Sequence, residues 1–219
     1  MLWIIPGILI SYLIGSIPTA YIFGRVLKGI DIRKFGSGNI GATNALRVLG
    51  KWPGITVLVL DILKGFIAVV FLGNLVVVRM GGLAETSARI LLGLSCICGH
   101  NWTIFLKFKG GKGMATTLGV LLGLAVRVAG LNLIFALVIL TWLVIFIITR
   151  IVSLASILAG ISLPIYMLFF GPRDPHFLIF ASFLLCLFII LRHKDNLKRI
   201  SQGKEPRLNL MRRRLTERR

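Results

Sequence analysis

The sequence predicts an all-α fold, a polytopic integral membrane protein of about seven transmembrane helices with the N-terminus outside and the C-terminus in the cytoplasm. Hydrophobic residues make up 57% of the 219 residues and charged residues only 15%, whereas a soluble domain carries roughly 25% charged residues. The mean hydropathy is +0.92. Several apolar runs approach the ~20 residues that a spanning helix needs. This composition excludes an ordinary soluble domain, and it excludes a disordered chain, which requires low hydrophobicity.

Seven apolar segments account for the predicted helices. Most of them are long enough to cross a membrane, but the segment 114–126 is short. It is therefore also compatible with a re-entrant or half-spanning helix packed inside the bundle. The seven segments are residues 1–24, 53–78, 88–106, 114–126, 131–149, 153–170 and 177–191.

Basic residues determine the predicted orientation. With seven spans, 21 of the 26 Lys and Arg residues fall on one side of the membrane and four on the other, while Lys64 lies within a span. Lys and Arg accumulate in cytoplasmic loops, so the basic side is predicted to be cytoplasmic. The net charge of +19 has the same explanation, and no nucleic-acid partner is expected. Residues 1–206 are predicted to form one transmembrane domain and residues 207–219 a basic cytoplasmic tail.

The first polar constellation lies at residues 36–44, between the first two spans. Three glycines within six residues, Gly36, Gly38 and Gly41, would let backbone N–H groups converge on an anion. A helix is predicted to follow, and its N-terminus would favour negative charge. Arg47 adds a forked, permanently charged donor for phosphate. The alternative is a flexible loop with a helix cap at Thr43. The candidate binding residues are Ser37, Gly38, Asn39, Gly41, Thr43, Asn44 and Arg47.

The second constellation alternates lysines with glycines directly before the predicted helix at residue 114. This arrangement suits an anion at a helix N-terminus. It is not a Walker A loop, because Leu106 and Gly113 stand where that pattern requires Gly and Ser or Thr. The alternative, cytoplasmic lysines that contact anionic lipid, does not explain the glycines beside Lys112. His100 is predicted to be a structural hydrogen-bonding residue. The candidate binding residues are Lys107, Gly110, Gly111, Lys112 and Gly113.

The third constellation follows the last span. His193, Asn196 and Arg199 are spaced three apart, so they would form one stripe on a helix that continues from that span. Such a stripe offers a titratable base and two fixed donors. Gly203 is predicted to end this helix, shortly before Glu205. The alternative is an amphipathic helix that lies on the lipid surface.

Polar residues also occur in or beside the apolar segments. Asp61 and Lys64, three apart within the second span, are predicted to pair structurally, because an unpaired charge inside a membrane is costly. Ser153, at the start of the sixth span, is predicted either to contact a substrate or to cap the helix. Cys96 and Cys98 would point in different directions on a helix, so core packing is favoured and no metal site is predicted.

Taken together, these motifs closely resemble those of the bacterial acyl-phosphate-dependent glycerol-3-phosphate acyltransferases, the PlsY family. The resemblance covers about residues 15–205, with the motifs in order and correctly spaced. Ile40 departs from the family pattern, as do Trp102 and Thr103, and the Arg-rich tail is longer than the resemblance predicts. The matching motifs are residues 36–44 with Arg47, residues 99–101 with 107–113, and Arg192 and His193 with Asn196, Arg199, Gly203 and Glu205.

The resemblance implies transfer of an acyl group from acyl phosphate to the 1-hydroxyl of sn-glycerol 3-phosphate. The products would be lysophosphatidic acid and inorganic phosphate, in the first acylation of phospholipid biosynthesis. The implied location is the bacterial inner membrane, with the active site on the cytoplasmic face. No cofactor and no metal are implied. Membrane lipids are expected partners, and a soluble enzyme that produces acyl phosphate is a further candidate.

Both of these substrates carry phosphate, so two anion sites are required, and the sequence supplies two glycine-rich loops. The acyl-phosphate headgroup is assigned to Ser37, Gly38, Asn39, Gly41 and Thr43. Glycerol phosphate is assigned to Arg47, Lys112 and Ser153. His193 and Asn196 are expected to position the attacking hydroxyl or to stabilise the developing oxyanion. The base is either His193 or a substrate phosphate oxygen, and no acyl-enzyme is expected.

The alternative function is transport of a phosphorylated solute or anion. A transporter places its site near the membrane midplane on broken helices, often within inverted repeats. The sequence shows no clear internal repeat, and its polar motifs are predicted to lie on one face. These features favour the enzyme.

Overall fold

The computed structural model is all-helical across the residues that it describes, 2–81, 85–172 and 176–208, which confirms the all-α prediction. Most of the predicted basic tail (209–219) and Arg173 lie outside these residues. A π-helical turn (Ala68–Leu72) and two 3-10 turns (Ile32–Lys34 and Ile104–Leu106) interrupt or connect the α-helices. The α-helices are α1 (Ile4–Ser16), α2 (Thr19–Lys28), α3 (Ala42–Val48), α4 (Lys51–Ile67), α5 (Gly73–Arg79), α6 (Glu85–Asn101), α7 (Met114–Arg127), α8 (Leu131–Thr149), α9 (Val152–Phe170), α10 (His176–Arg192) and α11 (Lys194–Ser201).

Five helical segments of the described chain are long and apolar enough to cross a membrane. The pair α10 and α11, bent by 61°, would make a sixth if it is taken as one span. Helix α7 has only 14 residues, in keeping with its short apolar segment. All seven predicted segments are therefore helical, and five of them reach spanning length. The five are Ile4–Lys28, Lys51–Arg79, Glu85–Leu106, Leu131–Thr149 and Val152–Phe170.

Two of these spans are locally irregular. Helix α1 ends before Pro18, which has no backbone N–H to continue the helical ladder, and α2 begins one residue later. The second span contains the π-helical turn Ala68–Leu72, and the buried guanidinium of Arg89 from α6 hydrogen-bonds to it. It donates to the carbonyl oxygen of Val69 at 2.7 Å and to Oδ1 of Asn74 at 2.8 Å. Arg89 therefore satisfies polar groups inside the bundle.

Two helix pairs pack backbone against backbone. A Cβ added to Gly15 or Gly99 would overlap a carbonyl oxygen of the facing helix in the α1–α6 pair. The same holds for Gly65 and Gly119 in the α4–α7 pair. Small residues allow this close approach where the surrounding lipid supplies no hydrophobic force between helices. We call these two pairs the closed helix pairs.

A small apolar cluster places the first polar loop beside the second. Ile32 and Ile40 from the first loop and Ala45 from α3 are buried together with Leu106, which directly precedes the lysines of the second loop. A larger apolar core fills the space among α6 to α10. The C-terminal ends of α6 and α10 contact the loop that leads into α7, and the chain after α11 contacts the N-terminal end of α9. The polar motifs therefore gather at one end of the bundle.

Candidate active site

A network centred on the Glu205 carboxylate joins three separate motifs. Ser153 Oγ and Asn196 Nδ2 donate to Glu205 Oε1 at 2.7 and 2.6 Å. Arg199 Nε donates to the other oxygen, Oε2, at 2.7 Å. Lys112 Nζ donates to Asn196 Oδ1 and so extends the network to the second loop. The structure therefore brings five predicted site residues from distant parts of the chain into one connected group.

The charges of this network follow from its contacts. Partial burial raises the pKa of the Glu205 carboxyl, but hydrogen bonds from Ser153, Arg199 and Asn196 outweigh it, and the net pKa lies below the ordinary value. Glu205 is therefore ionised at neutral pH. Burial lowers the pKa of Lys112 to about 8, although the Glu205 carboxylate acts in the opposite direction. At neutral pH the Lys112 ammonium predominates, and among the described residues one of its three donors is used, on Asn196.

The predicted continuation of the last span as one helix is interrupted. The chain bends by 61° at His193, between α10 and α11. Helix α11 then ends in a Schellman motif, in which Gly203 N–H donates to the Ile200 carbonyl at 3.0 Å and Lys204 N–H to the Arg199 carbonyl at 2.8 Å. Gly203 has φ +66°, which confirms the predicted stop. This bend and stop return the chain so that Glu205 reaches α9.

His193 is buried at the bend. Its Nδ1 lies 2.8 Å from the carbonyl oxygen of Ile189. Because a carbonyl oxygen only accepts, Nδ1 carries the hydrogen, and Nε2 of the neutral ring is left as an acceptor. The ring therefore has the tautomer that a general base requires.

Arg192 holds the second loop, a role that the sequence did not reveal. Its guanidinium donates to the carbonyl oxygen of Gly111 at 2.6 and 3.0 Å and to that of Gly110 at 3.0 Å. It also lies over the ring of Trp102, 5.7 Å from the ring centroid. A charged residue in the last turn of an apolar helix was the available signal, but the positive-inside rule already accounted for it.

The glycines of the second loop serve packing. The N–H of Gly111 donates to the His100 carbonyl at 2.9 Å, and that of Gly110 to the Asn101 carbonyl at 3.2 Å. A Cβ on either glycine would overlap atoms of α6. Gly113, with φ +77°, occupies the N-cap position of α7. The predicted anion site therefore has Lys112 and the first turn of α7 as its candidate donors, while Lys107 and Lys109 are exposed.

The first loop is organised around the buried side chain of Asn44. Its Oδ1 accepts from Ser37 N–H at 2.8 Å, and its Nδ2 donates to carbonyl oxygens of the same segment, including that of Asn39 at 2.8 Å. Asn39 Oδ1 accepts from Gly41 N–H at 2.9 Å, and Gly38 N–H donates to the Phe35 carbonyl at 3.0 Å. These three N–H groups therefore bond within the loop, contrary to the expectation that the backbone would converge on an anion.

Side chains remain to face a ligand in this loop. Ser37 and Arg47 are exposed and Thr43 is half-buried. Gly41, not Thr43, occupies the N-cap position of α3, so the alternative of a cap at Thr43 is wrong. Leu106 connects this loop to the second one by apolar packing, whereas the Glu205 network joins the second and third motifs by polar contacts.

The predicted pairing of Asp61 and Lys64 is confirmed. Lys64 Nζ lies 2.9 Å from Asp61 Oδ1, and both side chains are buried. His100 is a structural hydrogen-bonding residue, as predicted, with Nδ1 2.8 Å from Lys64 Nζ. Thr103, one of the departures from the family pattern, donates to the carbonyl oxygen of Ser16 at 2.5 Å and so fastens α6 to α1.

Fold and site together define a helical membrane protein whose polar site lies where four helix ends meet. A family model described as "Glycerol-3-phosphate acyltransferase" matches residues 5–203. The chain belongs to this family.

Two sequence relatives carry the same description as the family model. The "Glycerol-3-phosphate acyltransferase" of Prochlorococcus marinus (strain MIT 9301) is 42% identical over 199 residues, covering 91% of this chain and 94% of the relative. The "Glycerol-3-phosphate acyltransferase 2" of Moorella thermoacetica is 44% identical over 207 residues, covering 94% and 98%.

Two solved structures are also similar. Both are crystal structures of PlsY (YgiH), an integral membrane glycerol 3-phosphate acyltransferase, each 37% identical to this chain. The glycerol 3-phosphate form has a TM-score of 0.80 and the match covers 94% of this chain and 96% of that one. The lysophosphatidic acid form has a TM-score of 0.78, with coverages of 94% and 95%.

Proposed function

We propose that this protein acylates the 1-hydroxyl of sn-glycerol 3-phosphate with acyl phosphate as the donor, forming lysophosphatidic acid and inorganic phosphate. This is the first acylation of phospholipid biosynthesis. The observation that carries the proposal is the network in which Asn196 and Glu205 connect Lys112 of the second loop and Ser153 of α9 to the third motif. Family membership agrees with this choice of acceptor.

The acceptor phosphate binds at Lys112 and the first turn of α7. Two Lys112 donors remain for phosphate oxygens, and the unpaired N–H groups at the start of a helix favour an anion. Arg47, exposed on the neighbouring segment, supplies a second positive charge for this phosphate. Ser153 already donates to Glu205, so its contribution is to hold that carboxylate and, through Asn196, the position of Lys112.

The acyl-phosphate headgroup binds at the first loop. The exposed Ser37 hydroxyl and the half-buried Thr43 hydroxyl are the groups placed to meet it, with Gly38, Asn39 and Gly41 shaping the loop. Asn44 fixes this shape from the buried side. Lys107 and Lys109 add positive charge at the loop beside it.

His193 Nε2 accepts the proton of the attacking hydroxyl. Its tautomer suits this role, because Nδ1 donates to the Ile189 carbonyl. Acyl phosphate carries a good leaving group, so positioning and electrostatic stabilisation provide most of the rate enhancement. The acyl group passes directly to the acceptor without an acyl-enzyme.

The site faces the cytoplasm of the bacterial inner membrane, with the N-terminus outside and the C-terminus inside. The supporting observation is that the basic loops lie at the same end of the bundle as the Glu205 network. A soluble enzyme that releases acyl phosphate is the partner that this face would accommodate. Membrane lipids surround the apolar helices.

Phosphate release from palmitoyl phosphate tests the proposal. The purified protein is reconstituted in lipid vesicles and assayed with and without sn-glycerol 3-phosphate, with palmitoyl-CoA as a control donor. Acceptor-dependent phosphate release with formation of lysophosphatidic acid is the expected result. Ser37→Ala and Lys112→Ala are each expected to reduce turnover strongly in folded protein. Flux of glycerol phosphate without acylation would instead establish a transporter.

A further inference from the structure

A buried ionic chain lies beneath the second loop, and the proposed chemistry does not use it. It consists of Asp61 and Lys64 on α4 and His100 at the end of α6. Lys64 Nζ is 2.9 Å from Asp61 Oδ1 and 2.8 Å from His100 Nδ1. The Thr19 hydroxyl, at the start of α2, donates to Asp61 Oδ1 at 2.6 Å. Charges inside a bundle carry a desolvation cost, so their arrangement calls for a specific role.

The contacts of Lys64 determine which nitrogen of His100 carries the hydrogen. The ammonium has three donors, and three acceptors surround it, namely Asp61 Oδ1, the Ile17 carbonyl at 3.3 Å and His100 Nδ1. An ammonium group has no lone pair, so Nδ1 must accept. The neutral ring therefore carries its hydrogen on Nε2. Asp61 holds Lys64, and Lys64 fixes the tautomer and orientation of His100.

The Nε2 edge of His100 lies against Gly111. A Cβ on Gly111 would overlap Nε2, with the remaining near atoms also belonging to the imidazole ring. The N–H of Gly111 donates to the His100 carbonyl at 2.9 Å, and its own carbonyl accepts from Arg192 at 2.6 Å. Gly111 is therefore clamped between His100 and Arg192. The next residue is Lys112.

We infer that Asp61, Lys64 and His100 position Lys112 for the substrate phosphate by fixing the imidazole against Gly111. His100 and Lys64 are thus positioning residues, since they act through the loop and do not touch the substrate. The inference rests on the proposed function in that Lys112 binds sn-glycerol 3-phosphate. It predicts that substitutions in this buried ionic chain weaken the use of sn-glycerol 3-phosphate and leave the use of the acyl donor unchanged.

Single variants separate positioning from stability. His100→Asn retains an acceptor near the Nδ1 position for Lys64 but lacks the Nε2 edge against Gly111. It is expected to raise the KM for sn-glycerol 3-phosphate about tenfold, with the KM for palmitoyl phosphate nearly unchanged. Arg89→Met, a buried cation on the same helix at its opposite end, is the matched control. It is expected to lower the melting temperature and leave both KM values unchanged.

A double-variant cycle tests the contact itself. Gly111→Ala is expected to raise the KM for sn-glycerol 3-phosphate about tenfold in the wild-type background, because the new methyl group meets the imidazole. In a His100→Ala background the same change is expected to have less than about a threefold effect, since the ring is gone. Equal effects in both backgrounds would overturn the inference. A wild-type acceptor KM in His100→Asn would overturn it too.

Calorimetric binding of sn-glycerol 3-phosphate to the same variants supplies a readout independent of turnover. If the wild type fails to transfer acyl groups, the proposed reaction is refuted, while binding still decides the positioning role. Weaker binding in His100→Asn but not in Arg89→Met supports the inference. Equal affinity in the wild type and His100→Asn refutes it. A wild type that binds no sn-glycerol 3-phosphate refutes both.

Discussion

Deprotonation of Lys112 should weaken the use of sn-glycerol 3-phosphate as the pH rises from 7 to 9. Burial lowers the pKa of this amine to about 8. Lys112 therefore loses its proton between pH 7 and 9, where an ordinary lysine stays charged. With that pKa, the protonated fraction falls from roughly 0.9 at pH 7 to roughly 0.09 at pH 9. Because the proposed function assigns the acceptor phosphate to the ammonium form of Lys112, kcat/KM for sn-glycerol 3-phosphate is expected to fall about tenfold over this interval.

The assay is the initial rate of phosphate release in reconstituted vesicles, corrected at each pH for spontaneous hydrolysis of palmitoyl phosphate. The quantity kcat/KM for the acceptor reports groups of the free enzyme. Lys112→Arg is the matched variant, since a guanidinium remains charged throughout the range. It is expected to be less active at pH 7 but to show no decline between pH 7 and 9.

Two results would refute this reasoning. One is a wild-type profile that stays level to pH 9 while the protein remains folded. The other is the same alkaline decline in Lys112→Arg, which would assign the titration to another group.

Three further substitutions test separate features. Arg192→Lys removes the fork that holds two loop carbonyls, so the KM for sn-glycerol 3-phosphate is expected to rise about tenfold with little change in melting temperature. An unchanged KM would show that the second loop keeps its conformation without the hydrogen bonds from Arg192. Asn44→Ala removes the hydrogen bonds that organise the first loop, and turnover is expected to fall to about a tenth or less. Near-normal turnover would contradict that role. Gly15→Val forces α1 away from α6 and is expected to lower the free energy of unfolding in detergent by about 3 kcal/mol. Ile10→Val, on the exposed face of the same helix, is the control, and equal stability of the two variants would contradict the packing argument.

Hydropathy predicted the helices well because spanning length and apolar composition are local properties. The irregularities were not predictable, since each depends on a distant partner. The π-helical turn lies where Arg89, from another helix, donates to the carbonyl oxygen of Val69. The bend at His193 interrupts a sequence whose spacing continues the helical period, and contact of α11 with α9 through Glu205 favours the bent form.

The candidate site, like the fold, was predictable only in part. Composition revealed glycines and cations, and the motifs identified the residues that the Glu205 network joins. Composition could not distinguish a glycine that approaches phosphate from one that packs against a neighbouring helix, as Gly111 does against His100. Asn44 likewise looked like a ligand-binding amide, but it organises the loop from within.

The closed helix pairs restrict where an acyl chain could enter the bundle from the bilayer. At Gly15 and Gly99 the backbones of α1 and α6 are in direct contact, and at Gly65 and Gly119 the same is true of α4 and α7. A methylene chain needs about 4 Å from the carbon atoms on either side of it. An acyl tail that approaches from the bilayer therefore cannot pass between the helices of either pair at these glycines. Any sideways entry must lie elsewhere on the bundle.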